Sequence, residues 1–122
     1  MRTNSFEHKA KTTGPVDFVD LTEQIQHFLA RSGFHNAQVT ISCPAGCSLV
    51  VNELESGLLE DIRRVMAKVD RATDDGASRI GSASVVLPGI KGRLQLGTWQ
   101  RVLLVELERG TERTVTIQIV GE

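Results

Sequence analysis

The sequence predicts an α+β fold of mostly antiparallel, β-sandwich-like sheets with two helices in the first half of the chain. Two stretches, near residues 21–32 and 57–69, repeat apolar residues with the period of a helix. Other stretches alternate apolar and polar residues, as half-buried strands do. Four strand-like stretches follow the second helical stretch in succession, which excludes a simple alternating βαβ order.

The chain before residue 20 predicts two pieces of strand. Residues 3–10 mix polar and apolar side chains and are expected to form an edge strand. Gly14 and Pro15 punctuate a turn over residues 11–15. Residues 16–19 then alternate as a short second piece.

The first helix is predicted from a capping pattern and one apolar stripe. Asp20 and Glu23 have the spacing of a capping box, with Asp20 as N-cap and Glu23 reaching back to it. Gly33 ends the helix because glycine accepts the left-handed conformation found there. The stripe consists of Leu21, Ile25, Phe28 and Leu29.

Residues 38–51 predict strand structure with an interruption. Residues 38–42 and 47–51 read as strand, while Pro44 has no N–H for a ladder and Gly46 permits close backbone approach. The two pieces are either adjacent strands or one strand with a break.

The second helix has the clearest helical period in the sequence. Ser56 is its expected N-cap, and acidic residues precede basic ones along it, which complements the helix dipole. Residues 70–84 have no strong period and are expected to form a loop. The apolar stripe consists of Leu58, Leu59, Ile62, Val65, Met66 and Val69.

The rest of the chain is predicted to be strands and turns. Residues 84–87 form a strand closed by Pro88-Gly89, and residues 93–96 form a short one. Residues 102–107 are nearly all apolar and should be buried on both faces. Residues 109–111 read as a hairpin-like turn. The final half-buried strand places Val115, Ile117 and Ile119 on one face.

The bulk composition bounds the function. The 122 residues fit a single domain, 1–122, and the net charge of −1 gives no strong attraction for nucleic acid or for an anionic membrane. Aromatic residues are 4% with no tyrosine, which disfavours a stacking platform for nucleic acid. With neither a signal-peptide pattern nor an 18-residue apolar run, the chain is expected to be cytoplasmic, with no nucleic-acid or membrane partner.

Three stretches in order give the chain a resemblance to a known family. They are Val50-Val51-Asn52-Glu53 with the following Gly57-Leu58-Leu59-Glu60-Asp61, then Gly92-Arg93-Leu94-Gln95-Leu96-Gly97-Thr98-Trp99-Gln100, then Val102-Leu103-Leu104-Val105-Glu106-Leu107. Over nearly its whole length the chain resembles the YjbQ family, also called the secondary thiamine-phosphate synthase family. The most specific part is Gly-x-Leu-x-Leu-Gly-Thr-Trp-Gln.

The resemblance implies a homotrimer of α+β subunits. It also implies a weak thiamine-phosphate synthase activity, which joins a pyrimidine pyrophosphate to a thiazole phosphate. The family's site lies at subunit boundaries and is built from histidines that can hold a metal.

This sequence departs from the family at that site. Pro44, followed by Ala45 and Gly46, stands where members carry a His-Thr-Thr-type segment, eight residues before the Asn of Asn-Glu. The region 70–84, where members carry two further histidine segments, contains no histidine, and none follows His35. The site is therefore interpreted as eroded, with no metal and no cofactor.

Glu53 and Gln100 are the candidate catalytic residues. Glu53 binds substrate or a metal-bound water, or else it satisfies backbone N–H groups at the start of the following helix. Gln100 offers amide hydrogen bonds to a ligand. Asn52, Thr98, Trp99 and Arg93 are the candidate pocket residues, and the alternative for Trp99 is an anchor in the core or at a subunit interface.

Other chemical groups favour ordinary structural roles. Cys43-x₃-Cys47 lacks the further ligands of a structural zinc site, so we interpret both as buried or half-buried thiols. His27 is expected on the solvated side of the first helix and His35 in a turn. Asp74 and Asp75 read as part of a solvated loop. P-loop and dinucleotide-binding motifs are absent.

Two functions follow. The first is a trimeric YjbQ-like protein with an eroded active site, used as a non-catalytic or repurposed binding module for a small phosphorylated ligand. The alternative is a retained weak thiamine-phosphate synthase, in which Glu53 and Gln100 position two substrates. Whether the chain is an enzyme stays open at this point.

Overall fold

The structure is a computed structural model that describes residues 1–14, 16–53, 57, 59–65 and 81–122. Helix α1 spans Thr22–Ser32, and the helical residues 57 and 59–65 belong to α2. The strands are β1 (Arg2–Lys11), β2 (Asp17–Asp20), β3 (Asn36–Ser42), β4 (Cys47–Glu53), β5 (Ser84–Ile90), β6 (Arg93–Leu94), β7 (Gln100–Glu106) and β8 (Glu112–Gly121).

The described strands form two antiparallel sheets. The larger sheet has the order β1-β8-β3-β5-β6, and the smaller one has the order β2-β7-β4. Leu49 and Ser82 exchange two backbone hydrogen bonds of 2.7 and 2.9 Å, which connect β4 to the chain entering β5. The predicted α+β class with mostly antiparallel sheets is confirmed.

The core forms where the apolar faces of both sheets and of α1 meet. The alternating residues Val115, Ile117 and Ile119 of β8 are at most 1% exposed, as the period of two predicts. The α1 stripe, including Ile25 and Leu29, packs in the same cluster. In β7, residues 102–106 are fully buried, which confirms burial on both faces of this strand.

The start of α1 differs from the predicted capping box. The helix begins at Thr22, and Leu21 is its N-cap without a side-chain hydrogen bond. The Thr22 N–H donates to Asp20 Oδ1 at 3.0 Å, so Asp20 still satisfies a free amide of the first turn. Glu23 accepts a hydrogen bond from Arg101. Gly33 ends the helix with φ of 70°, as predicted.

Two predictions about how strands connect need correction. The pieces on either side of Cys43–Gly46 are neither neighbours nor one strand, because β3 and β4 lie in different sheets. The residues 109–111 are not a hairpin turn, because β7 and β8 also lie in different sheets. A single sequence does not reveal which sheet a strand joins.

Strand β5 continues through Pro88 instead of ending there. The Pro88 carbonyl accepts a hydrogen bond from Gln95 N–H at 2.9 Å, on the side of β6. In a strand the N–H and C=O of one residue point to the same side, so the N–H that proline lacks would also face β6. No hydrogen bond between β3 and β5 is lost, and the strand tolerates the proline.

The second predicted helix is described only in part. Leu59 and Ile62 are half-buried, while Val65 is 50% exposed and therefore does not lie in a buried stripe. Arg63 fixes α2 near β2, since its Nε donates to the Val16 carbonyl at 3.1 Å. The predictions for Ser56, Leu58, Met66, Val69 and residues 70–80 fall outside the described residues.

Candidate functional site

Glu53 and Gln100 come together at one end of the smaller sheet. They are Cα partners in the antiparallel pair of β4 and β7, and both are exposed. Directly opposed residues place their side chains on the same face. Because side chains alternate along a strand, this is also the face of the core residues Val102 and Leu104. The two side chains therefore extend the core face beyond its apolar end.

The turn before β7 is closed by two hydrogen bonds. The Gly97 N–H donates to Gln100 Oε1 at 2.7 Å, and the Gln100 N–H donates to the Gly97 carbonyl at 3.0 Å. Thr98 and Trp99 form the exposed tip of this turn. Trp99 is 75% exposed, so it is not a core anchor of its own chain.

Asn52 and Arg93 do not join this group within the chain. Asn52 neighbours Glu53 in β4, so its side chain lies on the opposite face of the sheet. Its Oδ1 accepts the Glu53 N–H at 2.9 Å, and its Cα partner is Arg101. Arg93 belongs to β6 of the larger sheet, opposite Ile90. The structure thus gathers Glu53, Gln100, Thr98 and Trp99 out of the six predicted residues.

The turn that contains Pro44 lies at the other end of β4. Strand β4 runs seven residues from Cys47, next to this turn, to Glu53. At about 3.3 Å a residue, its two ends are roughly 20 Å apart. Pro44 and Glu53 therefore do not share a pocket within one chain.

An ion-pair cluster beside the candidate site was not predicted. Arg101 Nε donates to Asp20 Oδ2 at 2.7 Å, and its terminal nitrogen donates to Glu23 Oε1 at 2.8 Å. Burial opposes ionisation of Asp20, but hydrogen bonds from Thr22 and Arg101 outweigh it and lower the pKa of Asp20. The hydrogen bond from Val102 N–H to Thr22 Oγ1, 2.8 Å long, also ties α1 to β7.

A second unpredicted cluster surrounds Glu106, whose side chain is fully buried. Arg113 donates to both carboxylate oxygens, at 2.7 and 2.9 Å, and Thr12 Oγ1 donates at 2.6 Å. Burial would raise the pKa of Glu106, but the hydrogen bonds from Arg113, Thr12 and the Glu108 N–H lower it to about 2. This cluster joins β7 of the smaller sheet to β8 of the larger one.

Cys47 lies against the Glu106 carboxylate and is fully buried. Its thiol donates to Glu106 Oε2 at 3.7 Å. Burial and the negative charge of Glu106 raise the pKa of Cys47 to about 12. A thiol with such a pKa stays protonated at neutral pH, which disfavours a nucleophilic role. Cys43 is half-buried, and neither cysteine is in a disulfide bond.

The histidines lie outside the candidate site. His27 is exposed on α1, as predicted, and His35 is exposed in the turn after it. The His35 backbone N–H donates to the Glu122 carbonyl at 2.8 Å. Within the described part of the chain, no group of three or more His, Cys, Asp or Glu side chains is arranged to hold a metal ion.

The sequence contains one signal for the Glu106 cluster. Glu106 follows an apolar run, and an acidic residue in a buried strand calls for a cationic partner. Nothing local identifies Arg113 as that partner, because seven residues and a change of sheet separate the two.

Comparison with known proteins decides the family. A family model described as UPF0047 protein YjbQ-like matches residues 6–122. The chain belongs to the YjbQ family. A UPF0047 protein of Archaeoglobus fulgidus is 33% identical over 123 residues, covering 88% of this chain and 94% of the relative.

Solved structures similar to this chain have the same fold. A protein from Sulfolobus solfataricus P2, described as a YbjQ-like protein of unknown function, has a TM-score of 0.87 and 31% identity, with 99% of both chains covered. A hypothetical protein from Aeropyrum pernix K1 has a TM-score of 0.83 and 33% identity over the full length of both chains. Among the described residues of this YjbQ-family chain, no helix has the length and apolar character needed to cross a membrane.

Proposed function

We propose that this YjbQ-family protein is a homotrimer with an eroded active site, used as a non-catalytic or repurposed module that binds a small phosphorylated ligand. The observation that carries the proposal is the exposed group of Glu53, Gln100 and Trp99 at one end of the smaller sheet. An exposed tryptophan beside fixed polar groups is typical of a binding surface. The near-neutral net charge supports action without a nucleic-acid or membrane partner, and we place that action in the cytoplasm as part of the proposal.

The distance along β4 supports a site between subunits. By resemblance, the residue at Pro44 and the Glu53 segment both belong to the family's site, yet they lie at opposite ends of this strand. A site that uses both ends requires two copies of the chain. The 75% exposure of Trp99 within one chain is consistent with a role at such a boundary.

The turn at the expected histidine position has a structural role, which supports erosion of the site. The Cys47 N–H donates to the Pro44 carbonyl at 3.3 Å, and the Gly46 carbonyl accepts from Leu107 N–H at 2.9 Å. Gly46 has φ of 88°, and a Cβ on it would lie 2.8 Å from Glu108 Oε2. These contacts hold the turn against the Glu106 cluster.

A second function, weak thiamine-phosphate synthesis, is favoured by one observation. Glu53 and Gln100 face each other on one side of the sheet, next to an intact Gly97-Thr98-Trp99-Gln100 segment. Two substrates held there would react faster through proximity alone, which can contribute several kcal/mol.

One set of measurements separates the two functions. Light scattering at micromolar concentration gives the oligomeric state, and a monomer there would remove the trimer from the proposal. Purified protein is then assayed for thiamine phosphate, with and without a divalent cation. We expect no turnover by the wild-type protein, together with measurable binding of inorganic phosphate.

The Glu53→Ala variant shows which function holds if turnover is found. Glu7→Ala is the matched control, since Glu7 is also exposed and lies on β1 of the other sheet. Turnover that Glu53→Ala abolishes and Glu7→Ala preserves would establish the synthase and disprove the non-catalytic module.

A further inference from the structure

The side-chain amide of Gln100 is held in one orientation by its own turn. Its Oε1 lies 2.7 Å from the Gly97 nitrogen, which carries a hydrogen. A backbone N–H pairs with an amide oxygen and not with an amide NH₂, so this contact decides which end of the amide is which. The group left for a ligand is Nε2, which has two N–H donors.

Glu53, which pairs with Gln100 across the two strands, offers a hydrogen-bond acceptor. The two residues are direct Cα partners, and the Cβ atoms of such pairs are about 4.5–5.5 Å apart. An ionised carboxylate only accepts hydrogen bonds. The two opposed residues at the end of the strand pair therefore carry a donor group, Gln100 Nε2, and an acceptor group, the Glu53 carboxylate.

We infer that this pair recognises a neutral group of the ligand in which a hydrogen-bond acceptor adjoins a donor, as in the C=O and N–H of a cyclic amide. The inference rests on the proposed function and names the part of the ligand that binds at Glu53 and Gln100. The phosphate of the ligand binds elsewhere, because its charge would face the Glu53 carboxylate. A fully ionised phosphate also has no hydrogen to donate.

Gly97 is a positioning residue for this recognition. A Cβ on Gly97 would lie 3.0 Å from Gln100 Oε1 and 3.2 Å from Gln100 Cδ. Such contacts would require the amide to move by a few tenths of an ångström. The missing side chain at residue 97 thus lets Gln100 fold back onto its own turn and keep Nε2 outward.

The variant Gln100→Glu separates the two roles of this side chain. Glutamate keeps an oxygen for the Gly97 N–H but has no N–H to give a ligand. The matched control is Gln118→Glu, which changes another exposed glutamine, on β8 of the larger sheet. The probes are 2-pyridone, with N–H beside C=O, N-methyl-2-pyridone, which lacks the donor, and inorganic phosphate.

Binding is measured on ¹⁵N-labelled protein from the NMR signals of the Gln100 NH₂ group and the Trp99 indole. We expect 2-pyridone to bind about tenfold more tightly than its N-methyl analogue, since one lost hydrogen bond to a charged group costs about that factor. Gln100→Glu should weaken 2-pyridone binding by a similar factor. Gln118→Glu should not change the affinity for 2-pyridone, and the wild-type protein should also bind inorganic phosphate.

Equal affinity for the two pyridones, or an unchanged affinity in Gln100→Glu, would overturn the inference. So would the absence of 2-pyridone binding by the wild-type protein. In each case, phosphate binding by the wild-type protein leaves the proposed function standing. If the wild-type protein binds 2-pyridone but not phosphate, the result counts against the proposed function only. If Gln100→Glu disturbs signals beyond the turn, the variant Gly97→Ala is used in its place. Gly97→Ala crowds the Gln100 amide without adding charge, and it should also weaken 2-pyridone binding.

Discussion

At the scale of single residues, Glu106 shows how a charge is kept inside this fold. Its carboxylate is fully buried, yet Arg113, Thr12 and the Glu108 N–H all donate to it. A buried ion pair stabilises a fold little more than well-packed apolar side chains would. Removing only one partner, however, leaves a buried charge without compensation, which destabilises the fold. Arg113 is therefore expected to be costly to replace, although it is only one of several partners.

Replacing Arg113 with methionine should destabilise the fold by about 3–5 kcal/mol, because the Glu106 carboxylate stays buried without its cation. Urea denaturation at neutral pH measures the change. The control is Arg109→Met, at an exposed arginine nearby. A loss below about 1 kcal/mol would show that Thr12 and the Glu108 amide suffice.

The stability of the protein should also depend on pH through Glu106. Its pKa is lowered from 4.5 to about 2 in the folded state, so the ionised cluster stabilises the fold above pH 4.5. That contribution, on the order of 3 kcal/mol, is lost as the pH falls from 4.5 towards 2. Urea midpoints of wild type and Glu106→Gln should converge over this range, and parallel curves would contradict the assignment.

At the scale of elements, α1 is attached to both sheets by side chains that replace backbone pairing. At its start, Thr22 and Glu23 bond to β7. At its middle, Gln26 Nε2 donates to the Gly92 carbonyl at 2.9 Å, and Gln26 Oε1 accepts from Leu94 N–H at 2.8 Å. The helix thereby supports the short strand β6, which pairs with β5 over two residues only.

Asp20→Ala should destabilise the fold more than Glu23→Ala. Asp20 is 22% exposed and accepts from both Thr22 N–H and Arg101, so its loss should cost about 1–2 kcal/mol. Glu23 is 81% exposed, and an exposed ion pair typically contributes roughly 0–1 kcal/mol to stability. Denaturant titration of both variants gives the order, and equal losses would refute it.

Gln26→Glu should loosen β6. The carboxylate still accepts from Leu94 N–H, but it faces the Gly92 carbonyl with no donor, an arrangement that costs about 1–3 kcal/mol. Hydrogen exchange at the Leu94 amide should speed up accordingly. The same change at Gln24, which is exposed on the same helix, should leave this amide unaffected.

At the scale of the whole molecule, one tryptophan offers a test of the proposed assembly. Trp99 is the only tryptophan of the chain and is 75% exposed on a turn fixed by Gly97 and Gln100. Because the backbone of this turn is already ordered, binding through Trp99 costs less conformational freedom, which favours it as an interface anchor.

Trp99→Ala should shift the proposed trimer towards monomer. Truncation of an anchor tryptophan costs about 2 kcal/mol or more at an interface. Light scattering over a concentration series measures the shift. Val86→Ala, which trims an apolar side chain that is 52% exposed on β5, serves as control. A trimer of unchanged stability in Trp99→Ala would place the interface elsewhere.

The fold class, the first helix and the alternating burial of β8 could all be predicted from the amino-acid sequence. These depend on the local period of apolar side chains, which a single sequence records directly. The sequence also grouped six candidate site residues through the family motifs, of which Glu53, Gln100, Thr98 and Trp99 lie together, while Asn52 and Arg93 do not. Their role in binding stays a prediction.

Only the tertiary structure decided which strands share a sheet, and with it the partners of the charged residues. The assignment of β3 and β4 to different sheets, the placement of Asn52 and Glu53 on opposite faces, and the Glu106–Arg113 pair all depend on contacts between distant parts of the chain. The spacing of apolar residues along a strand or helix determines which side chains are buried. The partner of a buried charge depends on how the two sheets pack, which local spacing does not record.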